Sequence, residues 1–348
     1  MYELCYRYGL LNHSWIKVIE PEPSGEEAML SFHTKEYVDA LKKADDGQFG
    51  FEMFEHGLGT SDDPVFEGIF DYSLLVLGAT LKGAELIVSG DADVAFNLNG
   101  GLHHAKPDSA EGFCYVNDVV IGINYFLEHG YKRILYIDID AHHGNGVQDA
   151  FYNTNKVLFI SLHQDGHTIY PGTGFENEIG SGKGVGYTVN VPLPAYTDDD
   201  VYMRTFKDVF VPLSEAYKPE IVVAQIGLDT LKKDPLTSLM CTNNSYREVI
   251  SEIKKSCPRV LALGGGGYSI NDVVRGWTLA WAILNNLQPN DPYEGLIGGE
   301  MYGHERAGDD LYDEPYMLPP YLKEDANKLV DAKLDFIRKN IFPIIGAK

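Results

Sequence analysis

The chain has 348 residues, 44% of them hydrophobic and 23% charged, enough for a large buried core and ordinary for a globular protein. Its 51 acidic and 28 basic residues give a formal charge of −23, which argues against nucleic-acid binding and favours cationic partners. No apolar run of about 18 residues predicts a membrane span, the N-terminus lacks a signal-peptide pattern, and the scattered Cys5, Cys114, Cys241 and Cys257 suit a reducing cytoplasm better than a disulfide framework.

In chain order, the periodicity predicts helices over residues 34–45 and 66–88. The acidic residues between them (Glu52, Glu55, Asp62, Asp63, Glu67) read mainly as solvated surface, as do Asp198, Asp199 and Asp200. A strand over 94–98 runs through a glycine pair into His103-His104. A helix over 117–129 follows, with Asp118 at the expected N-cap. The apolar, β-branched run 134–138 predicts a buried strand, continued by Asp138-Ile139-Asp140-Ala141-His142-His143-Gly144-Asn145-Gly146. Further strands are expected over 157–162 and 187–191, then a helix over 200–217. A strand over 221–227 leads to Asp229, with a helix over 243–256 capped near Asn243. The strand over 260–263 leads to Gly264-Gly265-Gly266-Gly267-Tyr268, with helices over 270–286, capped near Asn271, and 321–339. This βα alternation predicts one domain spanning 1–348, an α/β fold whose mostly parallel sheet is covered by helices on both faces.

In such sheets ligands bind beyond the carboxyl ends of the strands, where each chemically suggestive segment lies. By strand alternation Asp138, Asp140 and His142 project from one face, which is costly unless a cation sits among them. Asp140, His142 and Asp229 offer two oxygens and one nitrogen, the three protein ligands of a catalytic zinc with an open position. Oxygen-rich ligation also suits Fe(II) or Mn(II). His103 and His104, being adjacent, must sit on a loop and aim differently, and one natural arrangement has both flanking a metal-activated water. Tyr268 is placed to donate to a developing oxyanion. A phosphate cradle at the glycine run is the competing reading, but neither the GxGxxG rhythm nor a P-loop lysine is present.

Together these segments resemble the histone deacetylase superfamily, which includes acetoin-utilisation proteins and acetylpolyamine amidohydrolases. The similar stretches are Gly101-Leu102-His103-His104-Ala105, residues 112–118, 138–146, 161–163, 170–174, 227–235 and 264–268. The resemblance implies an arginase-like fold and a zinc-dependent amidohydrolase (with iron(II) as an alternative metal) that releases acetate from acetyl-lysine in proteins or peptides, or from acetylated polyamines. It implies that Asp140, His142 and Asp229 bind the metal, that His104 is the general base and acid, and that His103 supports it. Asp138 then orients His103, Asn145 orients His104, and Tyr268 polarises the acetyl carbonyl. Gly112, Phe113 and Tyr170 match the wall of the acyl-lysine tunnel, and Asp62 a rim aspartate that holds substrate backbone. Structural potassium or sodium is implied at two sites: Asp138, Asp140, His142, Ser161 and Leu162 at the first, Phe151, Thr154, Val157 and Tyr187 at the second.

Three departures from the family pattern carry expectations. Residues 1–5 resemble the middle of a family helix, so an N-terminal strand and its loop are expected to be missing. Asn145 stands where many members carry aspartate, and since an amide stabilises imidazolium less, a lower His104 pKa is expected. Tyr170 adds a hydroxyl where phenylalanine is common, giving a more polar wall. Ureohydrolases share this fold with two metals, but position 231 is Leu231 where the second site needs an acid. Two other functions compete with the enzyme: a non-catalytic acetyl-lysine reader, which would bind without releasing acetate, and a nucleotide binder, which nucleotide would stabilise.

Overall fold

The computed structural model describes residues 1–48, 50–289 and 311–348. Its strands are β1 (Val94–Asn97), β2 (Ile134–Asp138), β3 (Val157–Gln164), β4 (Thr188–Leu193), β5 (Ile221–Gln225) and β6 (Val260–Leu263). They form one sheet in the order β1-β6-β5-β2-β3-β4, with every pairing parallel. The helices are α1 (Tyr2–Arg7), α2 (Glu26–Leu30), α3 (Lys35–Asp45), α4 (Glu52–Glu55), α5 (Ile69–Ser89) and α6 (Asp118–Glu128). They continue with α7 (Asn145–Phe151), α8 (Asp199–Tyr217), α9 (Asn243–Ser256), α10 (Ile270–Leu284), α11 (Pro320–Asn340) and α12 (Phe342–Ile345). Among the described residues no strand precedes β1, which pairs with β6 alone.

Alternation along the strands divides the core. Leu135 and Ile137, Leu158 and Ile160, Val222 and Ala224 face one layer, packed with side chains of α8, α9 and α11. Ile134 and Tyr136, Val157 and Phe159, Ile221 and Val223 face the other, packed with α5, α6 and α7. With both faces covered, the strands read as continuous apolar runs. α5 is apolar and long enough to cross a membrane by composition alone, but here it packs on α6 and β1 with Val76, Leu77, Ala84 and Ile87 buried.

The caps fall earlier in sequence than expected. Asn117, not Asp118, accepts from the Val120 amide at the start of α6. Thr242 caps α9, and Ser269 precedes α10. The acidic run at 198–200 is not all solvated surface: Asp198 is buried, capping α8 and accepting from the Leu318 amide, while Asp199 accepts from Thr242 and Ser245. Asp63 is buried too, whereas Asp62 is exposed.

Candidate active site

Four neighbouring strands, β1, β6, β5 and β2, end at the same rim of the sheet, and the loops beyond them carry the site. The loop after β1 brings His103 and His104, whose rings lie 4.0 Å apart at 52° and so aim differently, as adjacent residues on a loop must. That loop is pinned from beneath by Asp118, whose carboxylate accepts from the Gly101 and Leu102 amides at 3.0 and 2.9 Å and from the Thr80 hydroxyl at 2.6 Å. Burial pushes the Asp118 carboxyl up, against these donors. The residue taken as a helix cap therefore holds the histidine loop.

Strand pairing along β2 stops at Asp138, so the alternation that placed Asp138, Asp140 and His142 together does not run on to all three. Asp138 turns to His103, with Oδ2 at 2.7 Å from Nδ1, and accepts from the Tyr136 hydroxyl at 2.6 Å. Asp140 and His142 turn instead toward Asp229, which lies beyond β5. His142 Nδ1 lies 3.1 Å from Asp140 Oδ1 and 2.8 Å from Asp229 Oδ2. The remaining carboxylate oxygens are occupied: Asp140 Oδ2 accepts from Gln225 Nε2 at 2.6 Å and the Gly266 amide at 2.7 Å, and Asp229 Oδ1 from the Ala141 amide at 2.7 Å.

What converges is therefore one nitrogen and two oxygens, buried and within 4.8 Å of one another. Two buried carboxylates so close repel unless a positive charge lies between them. Burial works against a charge on His142, yet Asp140 and Asp229 outweigh it and raise its pKa to about 10. Burial and then Asp140 push Asp229 up, while at Asp140 the neighbouring histidines outweigh burial and hold its value down. A proton on Nδ1 thus stands where a divalent ion would, and the oxygen-nitrogen-oxygen set fits such an ion. Leu231 is a buried core residue, so its position offers no second metal ligand.

The histidine pair divides its roles. Burial opposes charge on His103, but Asp138 and Asp140 prevail and raise its pKa. His104 donates through Nδ1 to Asn145 Oδ1 at 2.7 Å, and its pKa is held well below the usual imidazole value. The direction is that expected, and contributions beyond residue 145 dominate it. Burial and the neighbouring His103 lower it, while the bond to Asn145 works the other way.

Phe113 and Tyr170 are 46% and 39% exposed, so they lie at the surface and are not core residues. Phe113 meets Tyr268 edge-on at 5.8 Å, and Tyr170 meets His104 at 5.1 Å. The Tyr170 hydroxyl does not simply add polarity to the wall, because it donates to Glu111 at 2.8 Å. Gly112 lies between the walls at φ +58°, where a Cβ would stand 2.6 Å from His104 Cδ2 and 2.9 Å from Tyr170 Cε1. Gly112→Ala is accordingly expected to displace both groups and cut kcat/KM by about 10²-fold, with the unfolding temperature as a control for the fold.

Tyr268 is set by its amide, which donates to Asp234 Oδ2 at 2.8 Å. Burial first, then the nearby Asp140 and Asp229, drive its pKa far up, so its hydroxyl stays protonated. The glycines before it pass over the acidic triad: a Cβ on Gly266 would come within 2.4 Å of Asp229 Oδ2. Carboxylates on that side make the run unsuited to phosphate, and its Gly266 amide already serves Asp140.

Ser161 is the register partner of Asp138 on β3, with Leu162 next to it. Phe151 ends α7, and its carbonyl accepts from the Thr154 amide at 3.2 Å. Val157 opens β3, and the Tyr187 carbonyl accepts from the Phe159 amide at 2.9 Å. The sequence reading overlooked Glu111, Tyr136, Gln225 and Asp234. Only Gln225 left a signal, as an amide at the end of a strand buried throughout.

Comparison with known proteins agrees with this geometry. A model of the histone deacetylase domain matches residues 1–284. The chain is 43% identical over 331 residues to histone deacetylase 8 of Danio rerio, covering 94% of this chain and 84% of that one. It is 39% identical over 279 residues to the acetoin utilization protein AcuC of Bacillus subtilis, covering 78% and 72%. A crystal structure of an HDAC homologue complexed with SAHA superposes with a TM-score of 0.83 at 32% identity, over 96% of this chain and 92% of the other. The HDAC homologue from Aquifex aeolicus gives 0.81 at the same 32% identity. On these grounds the chain belongs to the histone deacetylase family.

Proposed function

We propose that the protein is a zinc-dependent deacetylase that hydrolyses N-acetyl amides, with acetyl-lysine in proteins or peptides as its substrate. The observation that carries this reading is the convergence of Asp140, His142 and Asp229, with the His104 ring 6.1 Å from that of His142. A divalent ion held by the three ligands would supply Lewis acidity toward water and the acetyl carbonyl. His104, hydrogen-bonded through Nδ1, has Nε2 free to take a proton from the attacking water and return it to the leaving amine. The Tyr268 hydroxyl donates to the carbonyl oxygen as charge develops there. Burial first, and then His103, held by Asp138 beside it, keep His104 neutral.

Exposed Phe113 and Tyr170 suit the aliphatic stem of an acyl-lysine, and exposed Asp62 suits the substrate backbone at the rim. The net charge of −23 favours a lysine in basic surroundings. An acetylated polyamine would gain from the same charge, so acetate release should be compared on acetyl-lysine peptides and acetylpolyamines, with metal analysis alongside. Peptide turnover with bound zinc supports the reading; polyamine turnover alone replaces the substrate, and bound iron replaces the metal. Binding of peptide by the metal-loaded chain without acetate release overturns the enzyme in favour of a reader. We also infer structural potassium or sodium at the two sites named above, a single catalytic domain and a cytoplasmic setting. Supporting these are the Phe151 and Tyr187 carbonyl oxygens at the second site, α1 packed on α10 and α11 on β4, and four cysteines without disulfides.

A further inference from the structure

Glu111 makes no hydrogen bond to the acidic triad, His103 or His104, yet both of its carboxylate oxygens have partners. Oε1 accepts from Asn145 Nδ2 at 2.9 Å and from the Tyr170 hydroxyl at 2.8 Å, and Lys106 Nζ lies 3.2 Å from Oε2. Asn145 in turn accepts from His104 through its other amide atom. Glu111 stands at the start of a tight turn in which its amide and carbonyl pair with the carbonyl and amide of Cys114, both at 3.1 Å, enclosing Gly112 and Phe113. One turn therefore delivers a wall aromatic and a carboxylate, and the backbone bonds that shape it do not depend on the Glu111 side chain.

From this chain of contacts we infer that Glu111 is a positioning residue that fixes the tautomer of His104 through the amide of Asn145. The inference rests on the role proposed above for His104. An asparagine amide can turn about its last bond and present either oxygen or NH2 to a neighbour. A carboxylate only accepts, so Glu111 draws the NH2 of Asn145 to itself and leaves Oδ1 facing His104. Oδ1 also only accepts, so the imidazole proton must sit on Nδ1, and Nε2 keeps the lone pair that receives a proton from water. With the amide turned the other way, NH2 would face Nδ1, the proton would move to Nε2, and His104 could not act as base. An aspartate at 145 would need no such direction, since both of its oxygens accept.

The test is steady-state acetate release from an acetyl-lysine peptide by the metal-loaded full chain and four variants. Glu111→Ala is expected to lower kcat by about 10-fold to 100-fold, with a smaller rise in KM because it also frees the Tyr170 hydroxyl. Glu111→Gln, whose amide oxygen still accepts from Asn145, is expected to restore most of kcat. In an Asn145→Asp background the sign reverses: Glu111 then faces a second carboxylate, and Glu111→Ala leaves kcat equal or higher. Equal losses from Glu111→Ala in both backgrounds would show a merely structural role for the turn and overturn the inference. So would an unchanged kcat in Glu111→Ala, or a loss in Glu111→Gln as large as in Glu111→Ala. A parent chain that releases no acetate would instead overturn the proposed function, so the two failures are distinguishable.

Discussion

Tyr268→Phe is expected to reduce kcat by about 10²–10³-fold, the usual effect of deleting one oxyanion donor, with metal content unchanged. The separation of the two readouts follows from where the hydroxyl sits. Tyr268 supplies no ligand to the acidic triad, whose oxygens and nitrogen come from the loops after β2 and β5. Its ring would remain against Phe113, since that contact is edge-on between rings, and its amide would stay with Asp234. KM should therefore change far less than kcat. Because the hydroxyl stays protonated well above its ordinary value, it sets no limb of the pH profile near neutrality. Turnover of Tyr268→Phe near the parent rate, at full metal occupancy, would remove Tyr268 from the mechanism.

Metal removal is expected to abolish turnover, with recovery on adding the ion back, and the coupling to protons has a definite sign. In the metal-free chain His142 holds a proton up to about pH 10 between Asp140 and Asp229. A histidine ligand must be neutral, so near pH 7 each ion taken up expels that proton. Apparent metal affinity should rise by at least about tenfold per pH unit through this range, and more where the raised Asp229 carboxyl also gives up a proton; calorimetry in buffers of different ionisation enthalpy should count the protons released. Because the folded-state pKa is raised, the metal-free chain gains stability fully present below the ordinary value of 6.5 and lost as pH rises through about 10. The metal-loaded protein should lack that decline, which unfolding temperatures measured against pH will show. Metal binding insensitive to pH between 6 and 8 would contradict the assignment of His142.

Much of this was legible in the residues themselves. The strands were readable because both faces of the sheet are covered, which makes each a continuous apolar run, and the triad was readable because each ligand follows such a run. Harder to read were contacts set by loops. Asp118 resembled a cap because it begins a helix, but the cap bond went to Asn117 and freed its carboxylate for the Gly101 and Leu102 amides. Asp138 fell on the ligand face by alternation, but pairing ends there, and Tyr136 and His103 claim it. Glu111 was invisible because its partners, Asn145 and Tyr170, lie 34 and 59 residues away, with no periodicity linking them. His104 illustrates a direction legible in part: its low value owes most to burial, which no sequence displays, and then to His103, with the bond to Asn145 raising it.

β1, from whose end the His103-His104 loop departs, is held by β6 alone among the described strands, whereas both ligand-bearing strands are flanked on two sides. Margins of a sheet open before its centre. Gentle denaturation should thus unseat the His103-His104 loop before the acidic triad, so on the proposed roles turnover should vanish while a bound ion is still gripped.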